Sequence, residues 1–157
     1  MGGGSMIESV HVDSITYGHL PHKFEAGTPA IVPAIGLAAA LTYMMQVGRD
    51  RIAAHEAELT KYAQSRLSEL NWLKLYGNAK DKGAIFAFGM DGLHPHDIST
   101  IIDRSGIAVR AGPPCAQPLM ERLGVTATCR ASFGMYNTRE EVDALAEALV
   151  RAHDFFA

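Results

Sequence analysis

The helix predicted over residues 34–47 is apolar on almost every side, and this constrains the fold more than any other feature. Pro33 suits the first position of a helix, and Gly48 follows the last apolar residue, where helices commonly end. The large apolar side chains, which cannot all face one core, are Ile35, Leu37, Leu41, Met44 and Met45. A helix of this kind requires burial on several sides. We therefore expect an element that needs packing partners from more than one direction.

The segments that follow this helix have ordinary amphipathic patterns. Residues 50–70 predict a long helix with one apolar stripe, and residues 72–76 and 84–88 predict two short strands that form a hairpin-like pair. The stripe consists of Ile52, Leu59, Ala63, Leu67 and Leu70. Because the charged side chains lie largely off this stripe, we expect the helix to pack on a sheet.

Helices and strands continue to alternate in the C-terminal half. Pro95 begins a helix that Gly106 follows, and residues 107–110 and 129–133 predict two more strands with a short helix at 119–123 between them. A last helix opens with a capping box and carries one apolar stripe: Thr138 and Glu141, then Val142, Leu145 and Leu149. The sum is an α/β (α+β) fold of about four short strands under amphipathic helices.

The N-terminal part of the chain has little regular pattern. After a glycine-rich start, Ile7, Val10 and Val12 are mostly interleaved with polar residues as in a strand, and residues 14–33 then show little periodicity. A structureless stretch of this length in a compact domain usually has a function or a missing neighbour.

Charge and hydropathy exclude several classes of protein. The 157 residues carry 14 Lys and Arg against 17 Asp and Glu, without a basic stripe, so we expect no nucleic-acid partner. The longest apolar run, residues 34–45, is too short to span a bilayer, so we expect a soluble, cytoplasmic protein with no membrane partner. The 2 cysteines form neither a disulfide framework nor a metal knuckle, which favours a reducing compartment.

Cys115 lies between Pro113-Pro114 and the start of a predicted helix, five residues after Arg110. A helix N-terminus and a nearby cation stabilise a thiolate, so this cysteine could be a reactive nucleophile. A buried, inert cysteine fits the pattern equally well. The residues by themselves leave both interpretations open.

Three further groups have competing interpretations. Arg130, in a predicted strand, is either a salt-bridge partner, which the general behaviour of arginines favours, or a fork for a substrate carboxylate. The segment His94-Pro-His-Asp97 offers metal-ligating side chains, but it suits a helix start better, so we expect no metal. Lys74 could be a Schiff-base lysine, but it alternates with two leucines, which indicates an exposed strand residue.

Several segments, in this order, resemble the cysteine desulfurases and selenocysteine lyases of the class V aminotransferase group, particularly the sulfur-mobilisation (Suf-type) branch. They run through nearly the whole chain: Gly2-Gly-Gly-Ser-Met6, Phe24-Glu-Ala-Gly-Thr-Pro29, Leu75-Tyr-Gly77, His94-Pro-His-Asp97, Gly106-Ile-Ala-Val-Arg-Ala-Gly112, Cys115-Ala-Gln-Pro-Leu-Met120, Cys129-Arg-Ala-Ser-Phe133 and Tyr136-Asn-Thr138. The resemblance implies that residues 33–157 form the C-terminal small domain of the fold type I pyridoxal-phosphate enzymes, with a short, mostly antiparallel sheet. It implies that residues 1–32 are an extended segment and cofactor-contacting loop left from the large domain.

The resemblance also implies roles for individual residues. Members of the family use pyridoxal phosphate to take sulfur from L-cysteine for iron–sulfur cluster assembly, which releases alanine and leaves a persulfide on a cysteine similar to Cys115. Arg130 resembles the clamp for the substrate carboxylate, which reverses the salt-bridge interpretation, and Arg110 would add positive potential. Gly27 and Thr28 resemble the segment that reaches across a dimer to the cofactor phosphate of the other subunit.

Two departures from the family pattern qualify these implications. The family is more than twice this length, and its cofactor-binding lysine belongs to the large domain, so we expect no covalent pyridoxal phosphate on this chain alone. Pro113-Pro114 stand where the family typically has two histidines. The replacement removes the nearest candidates for proton transfer and stiffens the loop that carries Cys115.

Three functional hypotheses follow. The chain is the C-terminal part of a Suf-type cysteine desulfurase, active only when another chain supplies the large domain; a non-catalytic dimerisation or sulfur-relay module; or a truncated, inactive fragment. The expected partners are a second copy or a complementary large-domain chain, together with a sulfur-acceptor protein. Cysteine and selenocysteine both stay open as the substrate.

Overall fold

The computed structural model describes residues 2–112 and 115–157, which form two compact units that divide between Gly48 and Arg49. The first unit contains strands β1 (Ile7–Val10) and β2 (Ile15–Tyr17), paired antiparallel, a single 3-10 turn (His22–Phe24) and helix α1 (Ile31–Val47). Strand β1 confirms the prediction, whereas β2 lies in the segment that was predicted to be irregular. With only three residues, all exposed, β2 leaves almost no periodicity in the sequence.

Helix α1 is apolar on all sides, as predicted, but it begins earlier than expected. It starts at Ile31, so Pro33 occupies the third helical position rather than the first. A proline is tolerated there because the first four N–H groups of a helix have no partner within it. The helix ends before Gly48, whose φ of +97° suits glycine. No residue of α1 is buried, and its apolar side chains are exposed to solvent.

The second unit contains four helices and a four-stranded sheet. Its helices are α2 (Arg49–Ser68), α3 (Pro95–Asp103), α4 (Gln117–Leu123) and α5 (Arg139–Phe156), and its strands are β3 (Leu73–Tyr76), β4 (Ile85–Met90), β5 (Arg110–Gly112) and β6 (Thr128–Ser132). The strand order is β3-β4-β6-β5, and every pair of neighbours is antiparallel. This confirms the predicted α/β fold with a short antiparallel sheet.

The structure corrects one predicted strand. We expected a strand over residues 107–110, but β5 begins only at Arg110, the first residue that pairs with β6. The N–H of Ile107 donates to the carbonyl of Ile102 at 3.3 Å, so this residue still belongs to the turn that ends α3. Gly106, in that turn, has a φ of +75°, as its predicted role after the helix requires.

The core of the second unit lies between one face of the sheet and helices α2, α3 and α5. The register places Phe88 opposite Cys129 and Phe86 opposite Ala131, and all four side chains are buried. The residues that alternate with them along β4 and β6 point to the other face, where Ile85 is 52% exposed. We call this second surface the open face of the sheet.

Polar contacts fix helix α5 at its start and along its side. The predicted capping box is present: the Thr138 hydroxyl accepts from the N–H of Glu141, and the Glu141 carboxylate accepts from the N–H of Thr138 at 3.0 Å. The Asp143 carboxylate accepts from Arg66 Nε at 2.7 Å and from the Tyr62 hydroxyl at 2.8 Å, which joins α5 to α2. The hydrogen bond from Arg66 holds the pKa of Asp143 below its ordinary value.

Within residues 2–112 and 115–157 no single helix is long and apolar enough to cross a membrane. By length and composition, only α1 and α2 taken together reach the requirement, as a pair bent at the break between them.

Candidate functional site

Arg110 and Arg130 lie side by side on the open face of the sheet. The backbone register pairs Arg110 in β5 directly with Arg130 in β6, and pairs Arg130 with Ala87 in β4. Directly opposed residues of antiparallel strands share a face, with Cβ atoms about 4.5–5.5 Å apart. Because Cys129, the neighbour of Arg130, is buried in the core, Arg130 points away from the helices. The fold thus brings together two residues that the sequence predicted separately.

Neither guanidinium group of this pair has an acidic partner among the described residues. The salt-bridge interpretation of Arg130 therefore has no support among the residues that the structure describes. Like charges directly opposite each other on neighbouring strands destabilise a sheet. An anion between them would offset the repulsion, and a guanidinium can bind a carboxylate through two parallel hydrogen bonds. The arrangement suits the binding of a carboxylate.

Tyr76 extends this row of residues and was not predicted as a site residue. It pairs with Ala87, so it lies on the open face two strands away from Arg130. Its hydroxyl lies over Gly89, because a Cβ added at Gly89 would be 3.4 Å from Tyr76 Oη. In β3 the buried Leu73 and the half-buried Leu75 alternate with the exposed Lys74, and this alternation could have placed Tyr76 on the open face.

Cys115 is exposed and is not in a disulfide. It follows the end of β5 and precedes α4, which begins at Gln117. The interpretation of Cys115 as a buried thiol is therefore wrong, whereas its role as a nucleophile stays a prediction. Pro113 and Pro114, the predicted departure from the family pattern, lie outside the described residues.

Cys129 is chemically different from Cys115. It is fully buried, and its Sγ–H donates to the carbonyl of Pro95 at 3.0 Å. Burial raises the pKa of this thiol to about 11, against a smaller opposite effect of the Ser99 backbone. Cys129 therefore stays protonated near neutral pH and packs as a core residue.

Gly27 and Thr28 lie in the first unit, where glycines hold the backbone of Gly27. The N–H of Gly27 donates to the carbonyl of Gly3 at 3.0 Å, and Gly27 forms a parallel bridge with Gly4. The two backbone segments approach so closely that a Cβ on Gly4 would lie 2.2 Å from the Gly27 carbonyl oxygen. Thr28 is exposed beside this contact. The Gly27 N–H already has an acceptor, and the Thr28 hydroxyl is the side-chain donor that this pair offers to a phosphate.

The remaining predicted groups have structural roles. His94 precedes α3 and its Nδ1 accepts from the N–H of His96 at 3.2 Å, which confirms the helix start. No group of three or more His, Cys, Asp or Glu residues that could hold a metal occurs in the described part of the chain. Lys74 Nζ bonds to Asp91 at 2.8 Å on the exposed side of β3, as its alternation with leucines predicted.

The chain belongs to the aminotransferase class-V family, whose family model matches residues 1–145. A probable cysteine desulfurase of Halalkalibacterium halodurans is 51% identical over 154 residues, which make up 98% of this chain and 38% of that protein. A probable cysteine desulfurase of Streptomyces coelicolor is 48% identical over 158 residues, an alignment that covers 99% of this chain and 38% of that protein. The chain thus spans about 38% of the length of the curated relatives that it matches.

Solved structures confirm the predicted fold. The cysteine desulfurase CsdA of Escherichia coli, solved with an S-sulfonic acid, aligns with a TM-score of 0.83 and 38% identity, over 99% of this chain and 38% of that one. The apo cysteine desulfurase of Thermococcus onnurineus aligns with a TM-score of 0.80 and 41% identity, over 97% of this chain and 38% of that one. The cystine C-S lyase C-DES, at 19% identity and a TM-score of 0.67, shares the fold alone. The chain is a partial segment of the cysteine-desulfurase type.

Proposed function

We propose that this chain is the part of a cysteine desulfurase that carries the sulfur-accepting thiol and the clamp for the substrate carboxylate. The observation that carries the proposal is the arginine pair: Arg110 and Arg130 are directly opposed on the open face without an acidic partner, and the strand that holds Arg110 leads to an exposed Cys115. An α-amino acid substrate supplies the carboxylate that such a pair binds.

The proposed reaction moves one sulfur atom from L-cysteine to Cys115. The Cβ–S bond of the substrate breaks and an S–S bond to the Cys115 sulfur forms. The substrate carbon gains a proton and becomes the methyl group of alanine, and Cys115 is left as a persulfide. Arg130 holds the substrate carboxylate, and Arg110 adds positive potential that favours both the carboxylate and the Cys115 thiolate.

Pyridoxal phosphate is the cofactor of the proposed enzyme, and it supplies the electron sink for the broken C–S bond when bound. The described residues fit only its phosphate end, where the Thr28 hydroxyl would donate a hydrogen bond, proposed to act across a dimer. For the covalent attachment we propose no residue of this chain: Lys74, the lysine of the open face, bonds to Asp91 on the exposed side of β3. We therefore assign the cofactor lysine to a large domain outside this chain.

The exposed apolar surface of α1 supports a partner of this kind. Eight of its large apolar side chains are between 38% and 79% exposed, which is unusual for a helix without a polar side. A large-domain chain or a second copy would cover this surface. A sulfur-acceptor protein would then take the persulfide sulfur from Cys115, and the cytoplasm is the proposed location.

The decisive experiment combines this chain with a chain that supplies the large domain, pyridoxal phosphate and L-cysteine. Alanine release and a mass increase of one sulfur atom on Cys115 are expected. Cys115→Ser should abolish the persulfide, whereas the matched change Cys129→Ser should leave it in place. Arg130→Gln should raise the KM for cysteine, and Arg130→Lys should restore part of the loss. A folded mixture that releases no alanine, or one in which Cys115→Ser keeps full turnover, contradicts the proposal.

A sulfur-relay module is the second candidate, because the exposure of Cys115 makes it accessible without any cofactor. In that case a small persulfide donor would pass its outer sulfur to the Cys115 thiol and leave as a free thiol. Transfer without pyridoxal phosphate, together with no alanine release in the mixture, would favour the relay over the enzyme. Failure of Cys115 to accept sulfur from such a donor would exclude the relay.

A further inference from the structure

A groove of about 420 Å³ lies between α2 and the connection from β3 to β4. It is lined by Thr60, Lys61 and Gln64 on the helix and by Asn78, Ala79, Lys80 and Lys82 on the connection. Three of the five lysines of the chain therefore meet in one groove, although the chain as a whole is negatively charged. No acidic side chain lines the groove.

The lysines of the groove have no acidic partner within the described part of the chain. One helical turn from Lys61, at i−4 and i+4, the helix carries an alanine and a serine, which have no charge. At i−3 it carries Glu58, whose carboxylate is bonded to Arg139. Asp81, between Lys80 and Lys82, makes no ion pair among the described residues and does not line the groove. The three lysines therefore bring like charges into one groove, and none of them is paired with a carboxylate among the residues that the structure describes.

Lys82 is the lysine of the groove whose ammonium group has lost part of its contact with water. Its Nζ lies 3.9 Å from the centroid of the Phe86 ring, at the edge of the core. Partial burial lowers the pKa of this ammonium. A carboxylate next to Lys82 would restore interactions that the ammonium loses when it leaves water.

The lining favours an extended acidic segment over a single phosphate. The lysines project from two separate elements and act as separate point charges, whereas a compact phosphate site gathers backbone N–H groups around one anion. Gln64 and Asn78 add amide groups that suit a peptide backbone. Gln64 donates to Ser68 Oγ at 3.1 Å, which leaves its carbonyl oxygen available as an acceptor.

We propose that this groove, formed by Lys61, Lys80 and Lys82, is a docking site for an Asp- and Glu-rich segment of a partner protein. The groove is separate from the arginine pair and from Cys115. It lies beyond Tyr76 and Ile85 on the β3–β4 side of the sheet, whereas the chain leaves β5 toward Cys115 at the diagonally opposite corner. The proposal does not depend on a desulfurase activity.

The test measures binding of a fluorescein-labelled, glutamate-rich peptide to the full 157-residue chain by fluorescence anisotropy. The triple variant Lys61→Gln, Lys80→Gln, Lys82→Gln should weaken binding by about tenfold, since three lysine–carboxylate pairs at the protein surface each contribute a fraction of a kcal/mol. The matched variant Lys23→Gln, Arg104→Gln, Arg151→Gln removes the same charge elsewhere and should change binding by less than about twofold. Added salt should weaken binding to the wild type.

A second measurement does not depend on substitution. Acetylation of the wild-type chain, read by mass spectrometry, should show that the peptide protects Lys80 and Lys82 but not Lys23. An equal loss of binding in both triple variants would overturn the proposal in favour of a general charge effect. Absence of peptide binding, or displacement of the peptide by inorganic phosphate at lower concentration than the peptide itself, would also overturn it.

Discussion

Replacing Cys129 by alanine should change the pH dependence of stability in a defined direction. The thiol is fully buried and bonded to the Pro95 carbonyl, and its pKa rises from 9.0 to about 11. The unfolded chain loses this proton above pH 9, whereas the folded chain keeps it until the pH is near 11. Between these values unfolding releases a proton, so rising pH favours the unfolded state.

The size of the effect follows from the shift of the pKa. A shift from 9.0 to about 11 is two pH units. At about 1.4 kcal/mol per unit, the wild type should lose about 3 kcal/mol of stability in total through Cys129 alone, of which about 2 kcal/mol is lost between pH 9 and 11. The variant lacks this contribution. Below pH 9 it should be less stable than the wild type by about 1–2 kcal/mol, because it loses the buried sulfur and its hydrogen bond. The difference should therefore shrink as the pH rises and reverse around pH 10, where the wild type has lost roughly 1–2 kcal/mol through Cys129.

The assay is urea unfolding followed by far-UV circular dichroism under reducing conditions, from pH 7.5 to 11. Other groups titrate equally in both proteins and cancel in the difference. Val142→Ala is the control, because Val142 is fully buried and has no titratable group. Its difference from the wild type should be constant with pH. A constant difference for Cys129→Ala as well would refute the argument from burial.

Three further predictions concern thiol access, helix capping and the core. In the native chain at pH 8, iodoacetamide should label Cys129 at least about a hundredfold more slowly than Cys115, because only about one Cys129 thiol in a thousand is ionised. Urea should remove this difference in labelling rate. Comparable labelling of both cysteines in the native chain would contradict the burial of Cys129. Thr138→Ala should lower the free energy of unfolding by about 1 kcal/mol, while Thr138→Ser keeps the cap; equal losses would show that the capping bond contributes nothing. Phe88→Ala should cost about 3–5 kcal/mol in the same urea assay, against less than about 1 kcal/mol for the half-exposed Ile85→Val, and similar costs would contradict the assignment of the two faces.

Helices α2 and α5 of the second unit were predictable because each has a single apolar stripe and a recognisable boundary. Ile52, Leu59 and Leu67 of α2 are buried as their spacing requires, and the capping box at Thr138 marks the start of α5. These features depend on residues within one or two turns of each other. Local sequence therefore contains the information that they need.

Features that depend on distant residues were not predictable in the same way. Twenty residues separate Arg110 from Arg130, and only the register of β5 on β6 makes them neighbours. Lys61 reaches Lys80 and Lys82 only because α2 packs beside the β3–β4 connection. The start of β5 was misplaced for a related reason, since Ile107 is held by the turn after α3 rather than by a strand partner.

The alternation of Cys129 and Arg130 along β6 links the identity of the accessible thiol to strand pairing. A slip of one residue between β6 and its neighbours would turn Arg130 toward the helices and Cys129 toward solvent. A guanidinium among Phe86, Phe88 and Ile98 would have no counter-charge, so this alternative pairing is strongly disfavoured. The cost of burying an arginine therefore also protects the second thiol from oxidation and from stray sulfur transfer. Chemical selectivity between the two cysteines of this chain is a by-product of how one strand is aligned.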